Sequence, residues 1–251
     1  MLYDFTKDEY DIIIQAGQSN SYGCGMGDAE NPYEDDDRVR YLTGKFMIQP
    51  ACDQIYKNSV QGNYSLAFAR EYIKAGLLKE GRKLLILRTS EGGTGFADHH
   101  WDETGDLFLR MLEMLKTALA LNPANRAVAL LWHQGENDID ANMSKEEYHA
   151  HLSGLIRSVR QTAGDAQLPF VCGDFTPKWQ EVRGERCLPI SGAQREICKA
   201  DAAARFVETD GLLSNGEQHG NEDYVHFSRD ALYRLGDRYF AAYADILANL
   251  G

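Results

Sequence analysis

The sequence predicts an α/β protein whose central parallel sheet is covered on both faces by helices, and two patterns carry the prediction. Five short apolar runs, each of strand length, alternate with longer segments whose apolar residues recur every three or four positions. No repeat, low-complexity tract or proline-rich linker divides residues 1–251, so a single domain is expected. Strand and helix in alternation build right-handed crossover units, which stack into a parallel sheet between helical layers.

The first run contains Ile12, Ile13 and Ile14 and gives way to glycine and small polar residues from Gly17. A helical stripe over 66–78 leads to the second run, 84–87. Leu107, Phe108, Met111, Leu112, Leu115 and Leu119 then form one apolar stripe before the third run, 127–132. A stripe over 148–159 precedes the fourth run, 169–172, and the fifth is 206–208. The last helix carries Leu232, Leu235, Tyr239, Tyr243, Ile246 and Leu247; Ser228 is suited to cap it, with Asp230 in its first turn. The turn-rich segments 27–50 and 178–189 are expected to be surface insertions.

A net charge of −12 and the lack of any cluster of basic and aromatic residues argue against nucleic acid as a partner. Five cysteines without a C-x-x-C pair suggest neither a disulfide framework nor a zinc site, and fit a reducing compartment. The N-terminus is acidic where a secretory signal is basic, and no apolar segment reaches membrane-spanning length. A cytoplasmic protein with no membrane partner is therefore expected, although a chain trimmed of its signal would read the same.

In a parallel sheet, ligands bind beyond the carboxyl ends of the strands. Three loops fall there: Gly17-Gln18-Ser19-Asn20, Ser90-Glu91-Gly92-Gly93-Thr94-Gly95 and His133-Gln134-Gly135-Glu136-Asn137-Asp138. Ser19 reads either as a nucleophile on a tight turn or as a plain helix cap. His226, three residues after Asp223, can offer Nε2 to a serine while Asp223 holds Nδ1, or can be a satisfied turn histidine. Together the two motifs point to nucleophilic acyl transfer. Oxyanion donors would be the backbone N–H of Ser19, that of Gly93 or its neighbour Gly92, and the Gln134 amide. Glu136 reads as a brace, a competing partner of His226 or a helix-start acid, with the brace preferred.

Rival chemistries fit less well. Gly23-Cys24-Gly25-Met26-Gly27 lacks the spacing of a phosphate cradle and is followed by the acids Asp28, Glu30 and Glu34. His99, His100, His133, Glu136, Asp223 and His226 include no His-Glu-x-x-His arrangement, so no metal is expected. His149, His151 and His219 read as surface or packing residues.

The four ordered blocks, Gly17-Gln18-Ser19-Asn20, Glu91-Gly92-Gly93-Thr94, Trp132-His133-Gln134-Gly135-Glu136 and Asp223-x-x-His226-Phe227-Ser228, resemble the sialate O-acetylesterase and acetylxylan esterase branch of the SGNH hydrolases, a likeness running from about Asp11 to Tyr239. The resemblance implies a flavodoxin-like three-layer α/β/α sandwich with a sheet of about five strands, no cofactor, and removal of acetyl groups from sugar hydroxyls through an acyl-serine. It assigns Ser19 as nucleophile, His226 as base, Asp223 as its orienting acid, and Gly93 and Gln134 as oxyanion donors; Asn20 joins Glu136 behind the site. Acetylated mono- or oligosaccharides are the expected substrates, with a non-carbohydrate ester or an inactive sugar-binding role as alternatives. Of the aromatics Tyr22, Trp101, Trp132, Trp179 and Tyr224, Trp101 ranks first as a platform for a sugar ring. The paired His99 and His100 before it are unusual for this branch.

Overall fold

The structure, a computed structural model, describes residues 2–250. The strands are β1 (Glu9–Gly17), β2 (Val39–Leu42), β3 (Ile48–Pro50), β4 (Gln54–Tyr56), β5 (Ser59–Gln61), β6 (Arg82–Arg88), β7 (Arg126–His133), β8 (Phe170–Gly173) and β9 (Ala204–Val207). The helices are α1 (Ser19–Tyr22), α2 (Tyr64–Lys74), α3 (Asp106–Leu121), α4 (Glu136–Asp140), α5 (Lys145–Ala163), α6 (Pro177–Arg183), α7 (Leu188–Ala200), α8 (Asn215–His219) and α9 (Arg229–Leu250).

Successive residues of a strand point to opposite faces of a sheet, and the apolar strands here use both. Ile12, Ile14, Leu85, Leu87, Leu130 and Trp132 face one side, where Met111, Leu155 and Ile190 of α3, α5 and α7 cover them. Ile13, Leu84, Ile86, Ala129 and Leu131 face the other, against Phe68 and Tyr72 of α2 and Leu232 and Tyr239 of α9. The result is the expected three-layer sandwich. Ser228 caps α9 as anticipated, accepting from the Ala231 N–H at 3.3 Å.

Among the described residues the main sheet has seven strands rather than about five, in the order β3-β2-β6-β1-β7-β8-β9, with only β3 antiparallel. The two additional strands, β2 and β3, lie in 27–50, which is therefore not simply a surface insertion. Both strands are only three or four residues long, Arg40 and Gln49 interrupt their apolar residues, and β2 is placed by pairing with β6, which buries Val39, Tyr41 and Leu42. The segment 178–189 is likewise part of the body: Trp179 and Cys187 are buried, and the Trp179 ring lies 5.4 Å from that of Phe175. No helix among the described residues is long and apolar enough to cross a membrane.

Strand β1 sits between β6 and β7, so the chain crosses from one side of the sheet to the other around it. This is the switch point where loops diverge and leave a crevice. Gly17 ends β1 with φ +132°, and a Cβ there would run into the His133 carbonyl. Glycine lets β1 and β7 stay paired to their last residue, with the Gln18 N–H donating to His133 O at 3.0 Å.

Candidate active site

A cleft of about 600 Å³ opens over this switch point, lined among others by Ser19, Gly92, Gly93, Asn137, Trp179 and His226. Ser19 begins α1 directly after β1, and His226 lies in the loop between α8 and α9. Ser19 Oγ stands 2.9 Å from His226 Nε2, and His226 Nδ1 stands 2.8 Å from Asp223 Oδ1. A carboxylate only accepts, so Nδ1 carries the imidazole proton and Nε2 is left to accept from the serine hydroxyl. Burial alone would raise the Asp223 carboxyl, but hydrogen bonds from His226 and Asn215 bring it below the ordinary value, and it is ionised.

The His226 loop is pinned from several directions. Asn215 N–H donates to His226 O at 2.8 Å, Gly216 N–H donates to Asp223 O at 2.7 Å, and Asn215 Nδ2 donates to Asp223 Oδ2 at 3.0 Å. Asn20 ties the loop to the serine turn: its Nδ2 donates to Glu136 Oε1 at 2.8 Å and to Val225 O at 2.9 Å, while its Oδ1 accepts from Phe227 N–H at 3.0 Å. Glu136 thus holds Asn20 and makes no hydrogen bond to His226. Burial raises its pKa, and its Oε2 has no partner among the described residues.

The 92–95 loop lies over the serine, where a Cβ on Gly92 would stand 3.7 Å from Ser19 Cβ. The N–H groups of Ser19 and Gly93 donate to no other group among the described residues. Gln134 is placed differently from the sequence expectation. Its side chain is wholly buried, and its Nε2 faces Asp138 Oδ2 at 2.7 Å, Thr94 O at 3.2 Å and Gln18 Oε1 at 3.3 Å. Three acceptors surround two amide hydrogens, so nothing is left to give an oxyanion. Gln134 is a strut between loops. Asp138, also accepting from Phe96 and Ala97 N–H, needs Gly95 beside it, because a Cβ there would come within 2.5 Å of its Oδ1.

Asn137 is the residue sequence reasoning missed. It lines the cleft, and its Nδ2 gives one hydrogen to Asp98 Oδ2 at 2.9 Å and has a second that meets no acceptor among the described residues. Its signal was the start of α4, where three residues N-terminal to Ile139 open a helix at a strand end.

Trp101 also requires correction as a sugar platform. It is fully buried, donates Nε1–H to Thr94 Oγ1 at 3.0 Å and packs edge-on against Trp132 at 5.1 Å. A ring with no exposed face cannot stack on a substrate. Trp179 is the tryptophan that reaches the cleft. Cys24 lies there too, but burial pushes its thiol up to about 11, so it stays protonated. His99 and His100 each pair with a separate acid, Asp102 at 2.8 Å and Asp106 at 2.6 Å. No group of three or more His, Cys, Asp or Glu side chains among the described residues is arranged to hold a metal ion.

The sequence matches the family described as carbohydrate esterase, sialic acid-specific acetylesterase, over residues 9–245. A comparison with curated proteins returns no match. Among solved structures, NanS superposes with a TM-score of 0.77 at 18% identity, covering 96% of this chain and 98% of that one. A protein of Arabidopsis thaliana gives 0.74 at 20%, covering 96% and 99%. A carbohydrate acetylesterase of Xanthomonas citri gives 0.63 at 15%, covering 94% of this chain and 56% of that one. At these identities the likeness is one of fold.

Proposed function

Because the chain belongs to the sialic acid-specific acetylesterase family of carbohydrate esterases, we propose that it removes acetyl groups from sugar hydroxyls through an acetyl-serine formed on Ser19. The observation that carries this reading is the unbroken series Ser19, His226, Asp223 at 2.9 and 2.8 Å on the wall of the cleft.

Ser19 Oγ attacks the acetyl carbonyl as His226 Nε2 takes its proton, and ionised Asp223 stabilises the imidazolium. Negative charge gathers on the former carbonyl oxygen. The N–H groups of Ser19 and Gly93 and the second amide hydrogen of Asn137 receive it, three donors with no competing acceptor. As the tetrahedral species collapses, the C–O bond to the sugar breaks and His226 protonates the departing oxygen. Water then attacks the acetyl-serine while His226 takes one of its protons; the bond to Ser19 Oγ breaks, His226 returns that proton to Ser19, and acetic acid leaves and ionises to acetate and a proton in solution. Atoms and charge balance over the two halves.

Replacing Ser19 with alanine tests the reading. Turnover of an aryl acetate such as 4-nitrophenyl acetate should fall by several orders of magnitude. Undiminished turnover by the purified, folded variant would overturn the role of Ser19.

A further inference from the structure

The series Ser19, His226, Asp223 accounts for one oxygen of the Asp223 carboxylate. Oδ1 accepts from His226 Nδ1–H at 2.8 Å and from the His226 backbone N–H at 3.3 Å. Oδ2 is met by a single group among the described residues, the amide of Asn215, whose Nδ2 donates to it at 3.0 Å. The torsion that turns a carboxylate about its stem is broad and soft, so bonds to one oxygen leave its plane free to swing. A donor on each oxygen fixes it.

The Asn215 amide can donate in one orientation only. The side chain is fully buried at the start of α8, and its Oδ1 accepts from the Met26 N–H at 2.9 Å. Both hydrogens of Nδ2 are spent, one on Asp223 and the other on the Cys24 carbonyl at 3.1 Å. Turning the amide over would set its oxygen against two acceptors and its nitrogen against a donor. The bonds to Cys24 and Met26 therefore aim the remaining N–H at Asp223.

These partners come from separate arms of the site. Cys24 and Met26 follow α1, the turn that Ser19 opens, whereas Asp223 stands in the loop that carries His226. The backbone of Asn215 holds that same loop, its N–H donating to His226 O at 2.8 Å. Burial raises the Asp223 carboxyl, and the Asn215 amide is one of the donors that bring it back below the ordinary value. Asn215 itself does not line the cleft.

We infer that Asn215 is a positioning residue of the reaction, whose amide locks the plane of the Asp223 carboxylate against His226 and ties the loop of the acid to the serine turn. This rests on the Ser19 reading above. Its influence passes through Asp223, so it belongs to kcat and not to KM.

The test is a double-mutant cycle on the full chain, read as kcat and KM for 4-nitrophenyl acetate alongside urea unfolding. Asn215→Ala should lower kcat about ten- to a hundred-fold, the worth of one hydrogen bond to a charged group, and change KM by less than about two-fold. In an Asp223→Ala background the same substitution should change kcat by less than about two-fold, because the oxygen it serves is gone. The urea midpoint should drop in both backgrounds, since the bonds to Cys24 and Met26 are lost in each. Asn215→Ser, shorter than asparagine but still polar, should repeat the pattern and serves if the alanine variant does not fold. Equal kcat losses in the two backgrounds, a loss carried by KM, or an unchanged kcat would overturn the role. Failure of both variants to fold would also overturn it, by making Asn215 a residue of the fold alone. Ser19→Ala is read separately: undiminished turnover there sinks the acetyl-serine reading, whereas equal losses in the cycle sink only the part given to Asn215.

Discussion

Replacing His133 with phenylalanine should flatten the loss of stability on mild acidification. His133 ends β7 beneath the cleft and is fully buried. The Tyr239 hydroxyl has one proton and gives it to the Trp132 carbonyl at 2.9 Å, so at 2.9 Å from His133 Nδ1 it acts as acceptor. The imidazole is therefore neutral with its proton on Nδ1, and Nε2 has no partner among the described residues. Burial lowers its pKa from the ordinary 6.5 to about 3. As pH falls below 6.5 the unfolded chain takes up a proton that the folded protein refuses until about 3, so the unfolded state binds more protons throughout that window and stability falls with pH. At pH 5 the deficit is about 2 kcal/mol, and any folded value well below 5 gives the same figure. Urea unfolding at pH 7 and pH 5 measures it in both proteins. Phenylalanine preserves a ring against Phe227, whose centre lies 5.6 Å away, so the variant is expected to fold. Its loss between the two pH values should be smaller than that of the parent by about 2 kcal/mol. Equal losses would refute the neutral, buried imidazole.

Two other outcomes separate roles within the site. Asn137→Ala should lower kcat by about a hundred- to a thousand-fold with little change in the urea midpoint, while Gln134→Ala should show its main cost in stability. The opposite pattern would return the oxyanion role to Gln134. Trp101→Ala should cost about 3 to 5 kcal/mol of stability while KM for sugar acetates in the folded fraction stays put; a raised KM at full stability would place the ring in the substrate site after all.

What the sequence revealed and what it withheld follow from the range of the forces involved. The five apolar strands and the long striped helices were legible because burial marks the chain, as unbroken apolar runs in β1, β6 and β7, which are covered on both faces, and as a period near four in α3 and α9. Strands β2 and β3 left no such mark: Val39-Arg40-Tyr41-Leu42 owes its conformation to an edge of β6 that lies forty residues further on. Helix α7 also escaped the reading, since its stripe is interrupted by Ser191, Gly192 and Gln194. In the site, Ser19, Asp223 and His226 were nameable because the chemistry needs those types at strand and loop ends. Gln134 and Trp101 misled for a shared reason. An amide or an indole beside a glycine loop looks the same in sequence whether it faces the cleft or the core, and here the direction was set by partners, Asp138 and Thr94, that only the folded chain assembles.

The central strand β1 is made before both of its neighbours, β6 and β7. Ribosomes would extrude Ile12, Ile13 and Ile14 long before Arg82–Arg88 and Arg126–His133 exist to flank them, an interval of roughly 5 to 20 s of translation for the later of the two. Throughout it, β1 presents two bare edges and two greasy faces, the kind of ribbon that invites pairing between nascent chains. Association between nascent chains at this stage therefore competes with completion of the sheet.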